Sequence, residues 1–315
     1  MSAGTPPVQL PAGQQTITVK LINPVNFGPA ILKRFMGPDV PGLETFKDSP
    51  SFSFLLEHPS GRKLVFDLGI RKDYMNHSPK IANYLPTTNY TIDVSKNVAE
   101  ILEEGGVKPG EIEGVIWRGR ELVEVDCTGE RSLTIGGFQA YDYFGDGSFY
   151  LLDSPGHAVG HLCGLARTTS SPDTFVLLGG DVCHYAGILR PSVHLPVPDT
   201  ITPHPCHPMG TGSLCPGHAW EELQKSRGRE ATDTLYDMTF GADIPLATRT
   251  VGKLQELDCL ENVLVIIAHD STVRDRAPHF PESLNDWKEK GLGEKVRWAF
   301  LRDLEVYWKS KGLHA

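Results

Sequence analysis

Short stretches in which apolar and polar residues alternate predict β-strands in the first part of the chain. Residues 16–22 alternate in this way, as do two runs at 53–56 and 63–67. The turn-forming sequence Pro59-Ser60-Gly61 lies between these two runs, so we expect them to form a β-hairpin. The chain is therefore predicted to begin with strands, after a flexible, proline- and glycine-rich leader at residues 1–15.

Helical periodicity replaces this alternation further along the chain. Over residues 93–104 the apolar positions recur every three or four residues, with Asp93 or Ser95 as a candidate N-cap and Gly105-Gly106 as a stop signal. A short apolar strand is predicted at 114–117. A helix, a turn and a strand in this order are typical of α/β or layered α+β folds.

The second half of the chain is predicted to consist mostly of strands, several of which end in a polar cluster. The predicted strands cover residues 121–126, 132–143, 148–153, 175–178 and 263–268. Polar clusters follow the last three of them, at 154–157, 179–181 and 269–270. A long proline-rich loop at 191–216 and an amphipathic helix at 285–308, interrupted at 291–293, are also predicted. Because a rigid sheet positions the loops at its strand ends, these clusters are candidates for function.

Three side chains in the polar clusters could hold a metal ion. His157, Asp181 and His269 offer two imidazoles and a carboxylate, which are donors that zinc accepts. Neighbouring glycines would let these side chains project into a common cleft. Taken singly, each residue is more simply explained as a hydrogen-bonded polar residue at a strand end.

Composition and charge exclude several classes of protein. A chain of 315 residues with 40% hydrophobic and 22% charged residues has the balance of a globular protein. Its net charge of −9, without a basic patch, argues against nucleic acid or an anionic membrane as a partner. The six cysteines form no Cys-x-x-Cys pair, and residues 1–20 lack the features of a signal peptide, so we expect a reduced, cytoplasmic setting. We expect one domain at residues 16–315.

Four motifs in a fixed order give the chain a family resemblance. They are Phe66-Asp67-Leu68-Gly69, the run Ser154-Pro155-Gly156-His157-Ala158-Val159-Gly160-His161, Gly179-Gly180-Asp181, and Ile267-Ala268-His269-Asp270. In this order they resemble the signature of the metallo-β-lactamase superfamily, particularly its lactonase-like branch. The resemblance implies an α+β fold, a four-layer αββα sandwich with its site at one edge. It also implies a hydrolase that opens a cyclic ester or amide, a lactone or lactam, by means of a hydroxide bound to zinc.

The same resemblance implies roles for individual residues. The Asp-Leu-Gly motif at 67–69 would be a structural marker at a strand end. His157, Asp181 and His269 would be metal ligands, with Asp181 bridging two zinc ions. The substrate would be a small cyclic ester or amide, and a thioester is a further, less favoured option. The sequence leaves open which ring is opened, and also the oligomeric state.

The chain departs from the family pattern at one point. The HxHxDH motif of the family normally follows a strand such as 114–117, but here the chain continues Trp117-Arg118-Gly119-Arg120 and has no histidine between His77 and His157. Residues 118–126 resemble a strand that normally comes later, so we predict an internal deletion at the junction of residues 117 and 118 that leaves the sandwich incomplete there.

The missing motif removes most of the ligands of the family. By pooling His157, Asp181 and His269 on one ion, the chain would just reach the three protein ligands that a catalytic zinc generally needs. This shortage argues against activity of the chain as it stands. A second interpretation, from another class, is therefore kept beside the hydrolase: a non-catalytic remnant or mis-spliced form of such an enzyme.

Other histidines and cysteines allow further interpretations. In the proline-rich loop His204, Cys206, His207, Cys215 and His218 could form a zinc knuckle, but their spacing is not that of a standard finger and a substrate-facing loop is favoured. His161 and His184 are predicted to support the ligands or to pack in the core rather than to bind metal. Cys183 is predicted to be a buried, unreactive thiol.

Overall fold

Two β-sheets packed face to face form the centre of the fold. They are seen in a computed structural model that describes residues 8–46, 48–76, 79–117, 125, 127–207 and 212–313. The strands before residue 118 are β1 (Thr18–Ile22), β2 (Asn26–Gly28), β3 (Ala30–Ile31), β4 (Met36–Gly37), β5 (Thr45–Phe46), β6 (Ser49–Pro50), β7 (Ser53–Glu57), β8 (Lys63–Phe66), β9 (Thr91–Asp93) and β10 (Ile112–Ile116). Those after it are β11 (Ser132–Ile135), β12 (Phe138–Asp142), β13 (Phe149–Asp153), β14 (Leu162–Thr169), β15 (Thr174–Gly180), β16 (Asp237–Met238) and β17 (Val263–Ile267).

The helices of the described residues are short, apart from one. They are α1 (Pro79–Tyr84), α2 (Val98–Glu104), α3 (Ala186–Leu189), α4 (Gly217–Ser226), α5 (Ile244–Asp258), α6 (Ser271–Arg274), α7 (Leu292–Arg297) and α8 (Glu305–Ser310). Single-turn and two-turn 3-10 helices occur at Leu32–Arg34, Tyr74–Asn76, Leu85–Thr87, Pro109–Glu111 and Ala299–Leu304. Within the described ranges, none of the helices has the length and apolar character needed to cross a membrane.

The two sheets bury a shared apolar layer. The first has the order β1-β7-β8-β10, in which β7 and β8 form the predicted hairpin and β10 runs parallel to β8. The second has the order β11-β12-β13-β14-β15-β17, in which only β15 and β17 are paired in parallel. Side chains such as Leu21, Phe54 and Phe66 of the first sheet pack against Phe149 and Ile266 of the second. Burial of these side chains holds the strand ends of both sheets in fixed positions.

Helices cover the outer face of each sheet. Val98 and Leu102 of α2 pack on Val65 of the first sheet. On the second sheet the cover is α5 together with the C-terminal segment that includes Phe300 and Trp308. The resulting order of helix, sheet, sheet and helix confirms the predicted four-layer αββα arrangement of an α+β fold.

Two helix boundaries were predicted wrongly. Helix α2 begins at Val98, not in the predicted region of Asp93, because Asn97 and Glu100 form a reciprocal capping box and residues 91–93 belong to β9. Helix α7 begins at Leu292, whereas a helix was predicted from residue 285 with an interruption at 291–293. The left-handed Gly291 is the N-cap of α7 and does not interrupt an earlier helical segment. The predicted strand at 121–126 falls on residues outside the described ranges, apart from Val125.

The edge of the first sheet is partly uncovered where the deletion is predicted. Strand β10 is the last of its sheet among the described residues, and Val115 and Trp117 are 47% and 37% exposed. A cavity of about 270 Å³ opens beside Trp117, and Leu68 and Gly69, directly after β8, form another part of its wall. Apolar surface of this kind is expected where a covering segment is absent.

The loop that carries His157 depends on a glycine pressed against helix α5. Gly156 has a φ of 129°, and a Cβ at this position would lie 2.2 Å from the backbone nitrogen of Ala247. The loop is further tied to this helix because Thr250 donates a hydrogen bond to the carbonyl oxygen of Pro155 at 2.7 Å. Helix α5 therefore fixes the position of His157.

We expect the substitution Gly156→Ala to destabilise the protein more than Gly160→Ala, which is its matched control. Gly160 also has a positive φ, 69°, but a Cβ there meets nothing within 4 Å, so only the left-handed strain of about 1–2 kcal/mol applies. At Gly156 the clash with α5 adds about 1–3 kcal/mol. Urea unfolding of both variants measures the difference. Equal losses of stability would show that the close approach to Ala247 is unimportant.

Candidate metal centre

The predicted ligands converge because three strands end at the same edge of the second sheet. Strands β13 and β15 both pair antiparallel with β14 and so run in the same direction, and β17 pairs parallel with β15. His157, Asp181 and His269 follow these three strands. The structure therefore brings together side chains that are 112 positions apart in the sequence at their furthest (269 less 157).

Asp181 is the central residue of this cluster. Its Oδ1 lies 2.9 Å from Nε2 of His269 and its Oδ2 lies 3.7 Å from Nε2 of His157. Burial alone would raise the pKa of Asp181, but the hydrogen bond from His269 and the charges of the surrounding histidines hold that pKa well below its usual value. Because the side chain is still 38% exposed, the carboxylate can be reached from solvent.

Neighbouring groups fix the orientation of the candidate ligands. Nδ1 of His269 donates a hydrogen bond to the carbonyl oxygen of Pro50 at 2.8 Å, so Nε2 points at Asp181. The backbone N–H of Asp181 donates to Nε2 of His161 at 3.1 Å, and Nδ1 of His161 in turn contacts the hydroxyl of Ser154 at 2.8 Å. His161 therefore contacts Asp181, as a supporting role would require, and such outer contacts commonly orient metal ligands.

The Asp-Leu-Gly motif lies beside the same cluster. Asp67 has a positive φ of 63°, and its Oδ1 accepts hydrogen bonds from the backbone N–H groups of Leu68 and Gly69. Burial and the nearby charge of Asp181 raise the pKa of Asp67 to about 6. The motif therefore marks the turn after β8 and places a second carboxyl group close to Asp181.

His184 belongs to the site more closely than the sequence indicated. Its ring stacks on His269 with 5.5 Å between centroids and packs at 4.9 Å from the ring of His157. Burial is the main cause that lowers the pKa of His184 to about 3, so this imidazole is neutral near pH 7. Only its position three residues after Asp181, in the turn that leaves β15, could have drawn attention to it.

Aromatic side chains line the histidine cluster. Phe27 meets His269 edge-on at 5.2 Å between centroids, and Phe35 and Phe240 lie 5.6 and 5.4 Å from the ring of His184. These rings make part of the site apolar.

The proline-rich loop does not form a second cluster of donors in the described residues. Cys206 donates its backbone N–H to Nδ1 of His204, Cys215 contacts the hydroxyl of Thr200, and His218 is exposed beside Glu221. In the described part of the chain, three potential ligands meet only at Asp181, His184 and His269. The zinc knuckle therefore has no support among these residues.

Cys183 is fully buried, and burial raises the pKa of its thiol. This confirms the predicted burial of the thiol, and its lack of reactivity stays a prediction.

The donors at this edge suit one divalent ion. Ligand atoms of Asp181, His184 and His269 all lie within 4.8 Å of one another, and a carboxylate with imidazoles is a donor set that zinc accepts. His157 lies beside the other oxygen of Asp181. Two of the predicted ligands, His157 and His269, thus flank the carboxylate of the third, Asp181, and the role of all three in binding metal stays a prediction.

An αββα sandwich with imidazoles and a carboxylate at one sheet edge suggests a metal-dependent hydrolase, and comparison with known proteins supports this class. No protein-family model matches the chain. Gamma-lactamase FDB1 of Fusarium pseudograminearum is 35% identical over 361 residues, covering 95% of this chain and 85% of that protein. Metallo-hydrolase mfmC of Annulohypoxylon moriforme is 35% identical over 353 residues, covering 95% and 90%.

These relatives establish the family. The chain belongs to the metallo-β-lactamase superfamily. Its place in the lactonase-like branch stays a prediction. A solved N-acyl homoserine lactone hydrolase aligns with 87% of the chain at 14% identity and a TM-score of 0.48, a similarity too low to add to this assignment.

The alignment with the first relative also bears on the predicted deletion. It spans 361 positions, whereas the chain has 315 residues, so at least 46 positions (361 less 315) face a gap in this chain. A gap of this total length agrees with the loss of an internal segment.

We expect the purified chain to retain at most one zinc ion after dialysis, because the described donors crowd around one carboxylate. Elemental analysis of the dialysed protein gives the ratio of zinc to chain. Two tightly held equivalents would contradict this expectation and would show that residues elsewhere supply a second site.

Proposed function

We propose that the chain opens a small cyclic amide or ester, with a zinc ion held at Asp181. The observation that carries this proposal is the Asp181 carboxylate lying between the imidazoles of His269 and His157 at the strand edge. Two relatives are named gamma-lactamases, FDB1 and the MBL2 protein of Gibberella moniliformis, which is 36% identical over 216 residues covering 51% of this chain and 89% of that protein. A γ-lactam is therefore the first substrate to test, before a lactone or a thioester.

Each residue of the site would have its own role in binding the ion or the substrate. Asp181 would anchor the ion, and His269 would bind it through Nε2 while Pro50 fixes the ring. A second imidazole, predicted to be that of His157, would be the third ligand. When bound, such an ion lowers the pKa of water and polarises a carbonyl group. The aromatic walls of Phe27, Phe35 and Phe240 would receive an apolar ring and keep bulk water out.

The second candidate function is that of a non-catalytic remnant. It is favoured by the absence of HxHxDH from the sequence and by the partly exposed Val115 and Trp117 at the predicted junction. On this interpretation the chain keeps the sandwich but lacks ligands for the reaction.

The cytoplasmic setting expected from the sequence stays a prediction.

We expect zinc-dependent ring opening of γ-lactams or lactones that disappears in Asp181→Ala and on removal of metal with a chelator. The control is Asp39→Asn, because Asp39 is an exposed carboxylate outside the cluster and its loss should leave the rate unchanged. Hydrolysis is followed by chromatography over a panel of rings. Activity that survives both the Asp181 substitution and chelation would refute a metal mechanism at this site.

An insertion variant distinguishes the interpretation as an enzyme from the interpretation as a non-catalytic remnant. Inserting a family-like segment with HxHxDH between Trp117 and Arg118 adds the ligands that the chain lacks. If only the insertion variant is active, the natural chain is a remnant. If both proteins are active at the same rate, the missing motif is not needed and the deletion argument is wrong.

A further inference from the structure

His184 has the position of a metal ligand. One of its ring nitrogens lies within 4.8 Å of ligand atoms of both Asp181 and His269. His157 does not belong to this group of three residues. The connecting residues Val182 and Cys183 are buried, and Val182 donates its N–H to the carbonyl oxygen of Gly179 in a tight turn. This turn directs the side chain three positions after Asp181 back to the same carboxylate.

The ring of His184 is held by packing and has an unsatisfied nitrogen. His269, Phe35 and Phe240 surround it at centroid distances of 5.4 to 5.6 Å. Its Nδ1 is buried and has no hydrogen-bond partner among the residues that the structure describes. Burying a polar nitrogen without a partner costs about 1–3 kcal/mol, so such an atom calls for an explanation.

A role purely in packing does not explain the polar character of this residue. An apolar side chain would fill the same aromatic pocket without leaving a nitrogen unsatisfied. A histidine at this place is useful where its nitrogens bind something, and one of them lies within 4.8 Å of ligand atoms of both Asp181 and His269.

We propose that His184, together with Asp181 and His269, forms a three-ligand site for a single zinc ion. Three protein ligands and an open position are what a catalytic zinc generally requires. His184 thereby supplies a ligand that the missing HxHxDH motif would have provided, and His157 remains beside the other oxygen of Asp181. This inference rests on the metal site of the proposed function and changes the identity of its third ligand.

Zinc affinity of the full chain, measured by competition with a chelating dye, tests the assignment without any need for activity. We expect His184→Ala to weaken zinc binding by more than the ~100-fold that loss of an outer contact can cause. His157→Ala is the matched control, because it removes a neighbouring imidazole beside the same carboxylate. It should weaken zinc binding by less than ~10-fold, which is the lower end of the effect of losing an outer contact. A larger loss of zinc affinity in His157→Ala than in His184→Ala would overturn the inference. The proposed hydrolase would then keep its predicted ligands.

A second variant, read by spectroscopy, distinguishes the loss of a metal ligand from misfolding. His184→Cys replaces the imidazole by a thiol, and with Co²⁺ as the probe a thiolate ligand gives a charge-transfer band in the near ultraviolet. We expect this band in His184→Cys and not in His157→Cys or in the natural chain, whose Cys183 is buried. Absence of the band in a variant that melts cooperatively at the temperature of the natural chain would refute ligation at position 184. Failure of the hydrolysis assay alone would leave this result unaffected.

Discussion

The carboxylate of Asp181 is the group on which the rest of the site depends. It lies directly after β15, and the imidazoles of His157, His184 and His269 all lie around it. Opposite charges and a direct hydrogen bond outweigh the effect of burial on its pKa, which keeps the group ionised. A fixed, ionised carboxylate among nitrogen donors is the chemical basis for a divalent-ion site.

The apolar layers of the sandwich make this arrangement possible. Strands β13, β15 and β17 are buried on both faces, between the first sheet on one side and α5 with the C-terminal segment on the other. Their ends are therefore fixed relative to one another. Short turns at Gly156 and Gly180, both with positive φ, then direct the side chains that follow to one point.

Much of the site could be predicted from sequence, since it follows strand ends that are readable as apolar runs. The runs before His157 and Asp181 have glycine or proline close by, and the run before His269 is an unbroken apolar stretch at 263–268, so both the strands and their polar ends were correctly anticipated. Helix α5 was not predicted, although Asp243 as N-cap and apolar residues at 247, 251 and 254 are signals for it. His184 could not be assigned, because the turn that returns its ring to Asp181 depends on how Val182 and Cys183 are buried.

The proposed site holds one zinc ion at Asp181, with imidazoles from His184 and His269. X-ray absorption at the zinc edge, on the full chain loaded with one equivalent of zinc, counts the imidazoles around the ion directly. We expect two imidazoles with oxygen ligands in the natural chain and one imidazole in His184→Ala. An unchanged imidazole count after that substitution, or a sulfur ligand in the natural chain, would contradict it.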